Sequence, residues 1–168
     1  FPGSTIGNFE PHEAAGFLQN AANILGRGSV LIIGFDLIKS ADVLNAAYND
    51  AQGITADFNL NLLTRINRAL HADFDIDMFR HHAFYNSDLG RIEMHLVSRQ
   101  AQRVRVGNKH FDFARGESIH TENSYKYSIA EFQALAQRAG FSPAAVWTDA
   151  ERLFSVHYLR VQGLQEKT

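Results

Sequence analysis

Val30-Leu31-Ile32-Ile33-Gly34-Phe35, closed by Asp36, carries no polar side chain before its last residue and reads as a strand covered on both faces. Upstream, Ala14, Phe17, Leu18, Ala21, Ile24 and Leu25 recur at three- and four-residue steps behind Pro11, and Gly26 and Gly28 end the pattern. That spacing predicts an amphipathic helix of about four turns. A helix running into a doubly buried strand is the texture of a parallel α/β sheet.

The far end of the chain has a matching texture. Ser128 with Glu131 three residues on forms a capping box, Ile129, Phe132, Leu135, Ala136 and Ala139 share one helical face, and Gly140 stands where a left-handed cap would. Ala144 to Thr148 and Phe154 to Val161 then read as two strands, joined by a polar turn too short for a crossover helix, so they pair antiparallel. An α/β sheet whose last strand is inserted in reverse ends this way. Between Ser40 and Tyr127 the character changes. A short helix capped by Ser40 is followed by one starting near Thr55 with a face of Phe58, Leu62, Leu63, Ile66 and Leu70. Short β runs at Ala83 to Asn86, Ile92 to Ser98, Arg103 to Val106 and Lys109 to Phe113 suggest a small antiparallel meander. The expected fold class is therefore α/β. Residues 1–39 and 127–168 form part of a sheet-based core, and 40–126 form an inserted α+β subdomain placed where open α/β sheets bind ligands.

The 168 residues, 45% hydrophobic and 20% charged, suffice for a packed core. Sixteen basic against eighteen acidic residues, a formal charge of -2, offer no basic surface for a phosphate backbone, so no nucleic-acid partner is expected. The absence of cysteine removes disulfides, thiolate metal sites and a cysteine nucleophile. No apolar run approaches the roughly 20 residues of a membrane span, and the expectation is a soluble, cytoplasmic chain. It starts with Phe1 and shows no charged n-region, which suggests a fragment of a longer protein.

Two segments could carry chemistry. The loop Gly3-Ser4-Thr5-Ile6-Gly7-Asn8 leads toward a helix and can present backbone N–H groups and the Asn8 amide to a ligand, although the same residues suit a purely structural turn. Glu117-Ser118-Ile119-His120-Thr121-Glu122-Asn123-Ser124-Tyr125-Lys126-Tyr127 is the densest polar stretch, reading as a loop just before the sheet resumes. If extended, it turns Glu122 and Ser124 the same way, where a carboxylate and a hydroxyl could grip the two nitrogens of an imidazole; a solvated linker is the alternative. Eight histidines raise a metal reading through His81-His82, His95, His110 and His120-x-Glu122. No H-E-x-x-H occurs and adjacent strand histidines face opposite ways, so no metal is assigned. No G-x-S-x-G elbow supports a serine hydrolase.

Together, Phe1-Pro2-Gly3-Ser4-Thr5-Ile6-Gly7-Asn8-Phe9, Leu31 to Asp36, Ala47-Tyr48-Asn49-Asp50, Thr55 to Asn61, Arg91-Ile92-Glu93-Met94-His95-Leu96-Val97-Ser98 and Gly116 to Tyr127 resemble the histidine-specific, S-adenosylmethionine-dependent methyltransferases of ergothioneine biosynthesis. The resemblance implies methylation of the α-amino group of histidine, with S-adenosyl-L-methionine as cofactor. It implies that Gly3 and Asn8 lie against the α-amino group, that Tyr48 helps hold the carboxylate, that Met94 lines the pocket, and that Glu122 and Ser124 read the imidazole. No general base is assigned, because the sulfonium supplies the reactivity and the protein mainly aligns a neutral amine with the methyl carbon.

In a Rossmann-like methyltransferase the cofactor sits on a glycine-rich turn after the first strand, with an acidic residue after the second. Neither occurs here, so the chain reads as the C-terminal, substrate-recognising part of such an enzyme. It is expected to be inactive alone, to bind S-adenosylmethionine weakly or not at all, and to expose a sheet edge beside Leu31 to Phe35 that could pair two copies as a dimer. The alternative is a stand-alone histidine-binding or regulatory module that keeps the pocket without the chemistry.

Overall fold

The computed structural model describes residues 1 and 3–162. Pro2 of the opening motif and residues 163–168 of the expected terminal segment lie outside the described residues. The chain divides into two compact units, one of Phe1–Lys39, Ser87–Arg91 and Asn123–Thr168, the other of Ser40–Asn86 and Ile92–Glu122. Residues 87–91 and 123–126 group with the first unit.

In the first unit a 3-10 turn, Thr5–Asn8, precedes α1, Pro11–Leu25, whose proline at N1 supplies a preset φ where no N–H is needed. Strand β1, Val30–Asp36, pairs antiparallel with β8, Phe154–Val161, which pairs antiparallel with β7, Phe141–Thr148, giving the order β1-β8-β7. The last strand is thus reversed, as the short turn before it requires. The Asp149 carboxylate holds that turn by accepting the N–H groups of Glu151, Leu153 and Phe154. Helix α4, Ile129–Arg138, carries both halves of its capping box, Ser128 Oγ to the Glu131 N–H and the Glu131 carboxylate to the Ser128 N–H.

Ile33, Phe35, Phe141, Leu159 and Val161 of the sheet pack with Leu18 of α1 and Phe132 of α4 in one core. Both helices therefore serve the same sheet face, which corrects the reading of β1 as doubly covered: Ile32 is 53% and Val30 40% exposed. The sheet edge is not wholly bare, however. The Phe1 ammonium donates to the Ile32 carbonyl, and the Gly34 N–H donates to the Phe1 carbonyl.

The second unit holds α2, Ala41–Tyr48, capped by Ser40, and α3, Ile54–Leu70. Its sheet, in the order β2-β3-β6, consists of β2, Phe79–Asn86, β3, Arg91–Ser98, and β6, Ser118–Tyr125; β4, Gln102–Val106, and β5, Lys109–Phe113, form a separate hairpin rather than part of one meander. Arg91 and Asn123–Tyr125, at the ends of β3 and β6, count with the first unit. The buried face of α3 is narrower than its apolar residues suggest, since Leu63 and Asn59 are buried while Phe58 is 66% and Leu70 54% exposed.

Candidate functional site

The polar stretch expected as a loop is the strand β6, and its end is built into the first unit by two charge networks. The Lys126 side chain is fully buried; its Nζ donates to Ser124 Oγ at 2.8 Å and pairs with Asp36 Oδ2 at 3.0 Å. Asp36 Oδ1 in turn takes Lys39 Nζ at 2.6 Å. Burying an ammonium is tolerable only with such partners, because removing either leaves a desolvated charge. In the second network Glu10, the N-cap residue of α1, accepts from Tyr125 OH at 2.6 Å, Arg91 Nη1 at 3.0 Å and Asn123 Nδ2 at 3.0 Å. Burial and the Glu10 carboxylate push the Tyr125 phenol up, against the pull of Arg91. Burial raises Tyr127 further, to about 12, and its buried hydroxyl makes no hydrogen bond.

The Gly3–Asn8 loop is pinned to the same unit. Gly3 and Ser4 both take positive φ, the Ser4 N–H donates to the Gly34 carbonyl, and Ser4 Oγ accepts the Asp36 N–H at 3.0 Å. Gly7 is a glycine by close approach: a Cβ there would lie 2.7 Å from the Tyr125 carbonyl and 3.6 Å from Ser124 Oγ. The loop bearing Asn8 thus rests on the strand bearing Ser124. Gly3 lines an apolar cleft of about 170 Å³ with Phe1, Ile32, Gly34, Phe154 and Val156. Asn8 is exposed and Ser124 is buried.

In the second unit, Leu44, Ala83, Ile92 and Met94 form a small core against which the partly buried Tyr48 packs. Asn59, 3% exposed, donates to His81 Nδ1 at 3.0 Å, which leaves Nε2–H to donate to the Tyr48 carbonyl at 2.8 Å. His81 therefore ties α3, β2 and α2 together, while His82 stacks on Phe84. Glu122 lines a cleft of about 200 Å³ with Thr121 and five residues of α3, among them Phe58, Asn59 and Arg65. Asp50, whose carboxylate accepts from Thr55 and Ile54, is held down at about 2.

Glu93, His95 and His120 bring potential ligand atoms within 4.8 Å of one another, a grouping that sequence spacing did not reveal because it spans two strands. The His95 and His120 rings stack nearly parallel, 4.5 Å apart with an 11° interplanar angle, so their in-plane lone pairs run side by side rather than converging. Sequence reading also passed over Glu10, Asp36, Arg91 and Lys126. Lys126 alone had a signal, standing two residues beyond Ser124 as Ser124 does beyond Glu122.

Residues 1–161 match the family described as histidine-specific methyltransferase, SAM-dependent, and the chain belongs to that family. Histidine N-alpha-methyltransferase of Mycolicibacterium smegmatis is 47% identical over 151 residues, which cover 89% of this chain and 47% of that protein. The L-tryptophan methyltransferase of Psilocybe serbica is 30% identical, covering 97% of this chain and 46% of its own length. The chain spans about half the length of these curated relatives. The crystal structure of an S-adenosylmethionine-dependent methyltransferase from Clostridium acetobutylicum overlays with a TM-score of 0.49 at 9% identity, covering 96% of this chain and 56% of that one. The family is SAM-dependent. Among the described residues, however, no strand runs through a glycine-rich turn into a helix: β1 continues through Leu37-Ile38-Lys39-Ser40 into α2. These residues alone do not make a dinucleotide-type cradle for that cofactor.

Proposed function

We propose that this chain is the substrate-recognising part of an enzyme that methylates the α-amino group of histidine. Gly3 and Asn8 position the amine, Tyr48 the carboxylate, Met94 lines the pocket, and Glu122 and Ser124 read the imidazole. The observation that carries this reading is β6, where a carboxylate and a buried hydroxyl stand at alternate positions of one extended strand. An imidazole offers one N–H donor and one nitrogen acceptor, which that pair complements. The identity to a histidine N-alpha-methyltransferase over 89% of the chain supports the same substrate.

Methyl transfer in this reading asks the protein for alignment and water exclusion, and S-adenosylmethionine supplies the electrophilic methyl when bound. The cofactor cradle is then contributed by residues beyond those described, and the isolated chain is inactive. Titration of histidine and phenylalanine into the full polypeptide that carries this chain tests the substrate. Saturable binding of histidine, weakened at least tenfold by Glu122→Ala and absent for phenylalanine, is the expected result. Equal affinity for the two amino acids would refute it.

A further inference from the structure

The net charge of -2 conceals a local excess of positive charge in the second unit. Arg80, Arg99 and Arg115 line one cleft of about 330 Å³ with Val97, Ser98 and Gly116. Three segments of the chain bring them there. Arg80 is the second residue of β2, Arg99 directly follows β3, and Arg115 stands in the loop that joins β5 to β6. The backbone ties these segments to one another: the Arg99 N–H donates to the Met78 carbonyl, the Gly116 N–H to the Ser98 carbonyl, and the Ser98 N–H to the Glu117 carbonyl. Arg99 is held further, because its Nε donates to the Phe79 carbonyl at 3.2 Å, which leaves its Nη groups for another acceptor. Among the described residues none of the three guanidiniums has a carboxylate partner. The acids nearest Arg115 in sequence are committed elsewhere, Asp112 to Arg103 and Glu117 to the Ala114 N–H. Guanidiniums cannot relieve their mutual repulsion by losing protons. An anion placed among them removes it.

We propose that this cleft binds the phosphate group of a small molecule. A carboxylate carries one charge and two oxygens in one plane, which a single guanidinium fork satisfies. A phosphoryl group carries about two charges and presents three terminal oxygens in separate directions. Cations arriving from three segments match the second shape. The volume lies at the lower end of the range for small-ligand sites, which suits a phosphate ester or pyrophosphate and not a long phosphodiester chain. Glu122 lies roughly 13 Å along β6 from its first residue, Ser118, and Gly116 precedes that residue. The cleft is therefore separate from the proposed imidazole contacts and does not rest on them.

The test is calorimetry on the full polypeptide with inorganic pyrophosphate as the probe, in about 0.1 M salt so that diffuse attraction is screened. Saturable binding at one site is expected, with a Kd below about 1 mM. Arg80→Ala and Arg115→Ala should each weaken it about tenfold, the worth of a charge-assisted contact. Both side chains are exposed and make no hydrogen bond or ion pair among the described residues, so neither substitution should lower the urea midpoint. Arg68→Ala removes the same charge from an exposed position on α3 outside the cleft and should change the affinity by less than about twofold. Acetate should show no saturable binding. The inference is overturned by a pyrophosphate titration without saturation, by equal weakening in Arg68→Ala, or by acetate binding as tightly as pyrophosphate. A short single-stranded oligonucleotide and vesicles of anionic lipid separate the possible sources of the phosphate; tighter binding of either than of pyrophosphate overturns the small-molecule assignment.

Discussion

His157 offers a quantitative test of the first unit's core. The ring is fully buried, stacked on Phe35 at 4.8 Å and edge-on to Phe132 at 5.2 Å. Nε2 lies 3.2 Å from Ser155 Oγ, and Nδ1 has no partner. Among the described residues no carboxylate is there to receive a charge, so burial drives the imidazole from its ordinary 6.5 down to about 4. The unfolded chain then binds a proton that the folded chain refuses between those two values, and stability must fall as pH falls through that window. With the unfolded value near 6.5, linkage gives a loss of about 2 kcal/mol by pH 5 and about 3 kcal/mol by pH 4. Urea denaturation at half-unit steps from pH 7.5 to 4.5, on wild type and His157→Leu, isolates this contribution, because every other titrating group is common to both proteins. The wild-type free energy should drop relative to the variant, steepening toward about 1.4 kcal/mol per pH unit. Parallel curves through the window would refute the assignment of a neutral, unpaired imidazole in this core.

Four further outcomes follow from the structure. Glu10→Ala leaves Arg91, Tyr125 and Asn123 without their common acceptor and should cost about 1–3 kcal/mol in urea denaturation; an unchanged midpoint would count against the network. Gly7→Ala puts a methyl 2.7 Å from the Tyr125 carbonyl, a backbone atom that cannot step aside. It should cost about 1–3 kcal/mol, more than Gly34→Ala, whose new Cβ meets the Phe154 ring; the reverse order of melting temperatures would contradict this packing. Calorimetry of S-adenosylmethionine against the isolated chain should show no micromolar binding, and light scattering at high concentration tests the proposed pairing of two copies along β1, which a monomeric mass would sink.

The helices and the paired end of the chain were legible because each has a local cause: Pro11, the Ser40 cap, the Ser128–Glu131 box and the short Asp149 turn. Strand β6 was not, because only one aliphatic residue interrupts its polar run. Buried Ser124 lies on it and buried Lys126 stands just past its end, the lysine's burial made tolerable by Asp36, far away in sequence. Hydrophobic periodicity is blind to a strand whose core side chains are hydrogen-bonded instead of apolar. The open face of β1 was misread for the opposite reason. An exposed isoleucine looks the same in sequence as a buried one, and only the placement of α1 and α4 on one face distinguishes them. The contact of the Lys126 ammonium with Ser124 Oγ likewise required the fold, because its partner Asp36 is remote in sequence.

The way the backbone divides has an evolutionary consequence. The chain passes from one unit to the other after Lys39, Asn86, Arg91 and Glu122. The last of these breaks falls inside β6. A recombination event that exchanged Ser40 to Glu122 as a cassette would carry Arg91 along with it while leaving its partners Glu10 and Tyr125 behind. Such chimaeras would inherit mismatched halves of a charge cluster. Point substitutions within an intact frame are therefore expected to be tolerated better than a trade of the Ser40 to Glu122 segment between relatives.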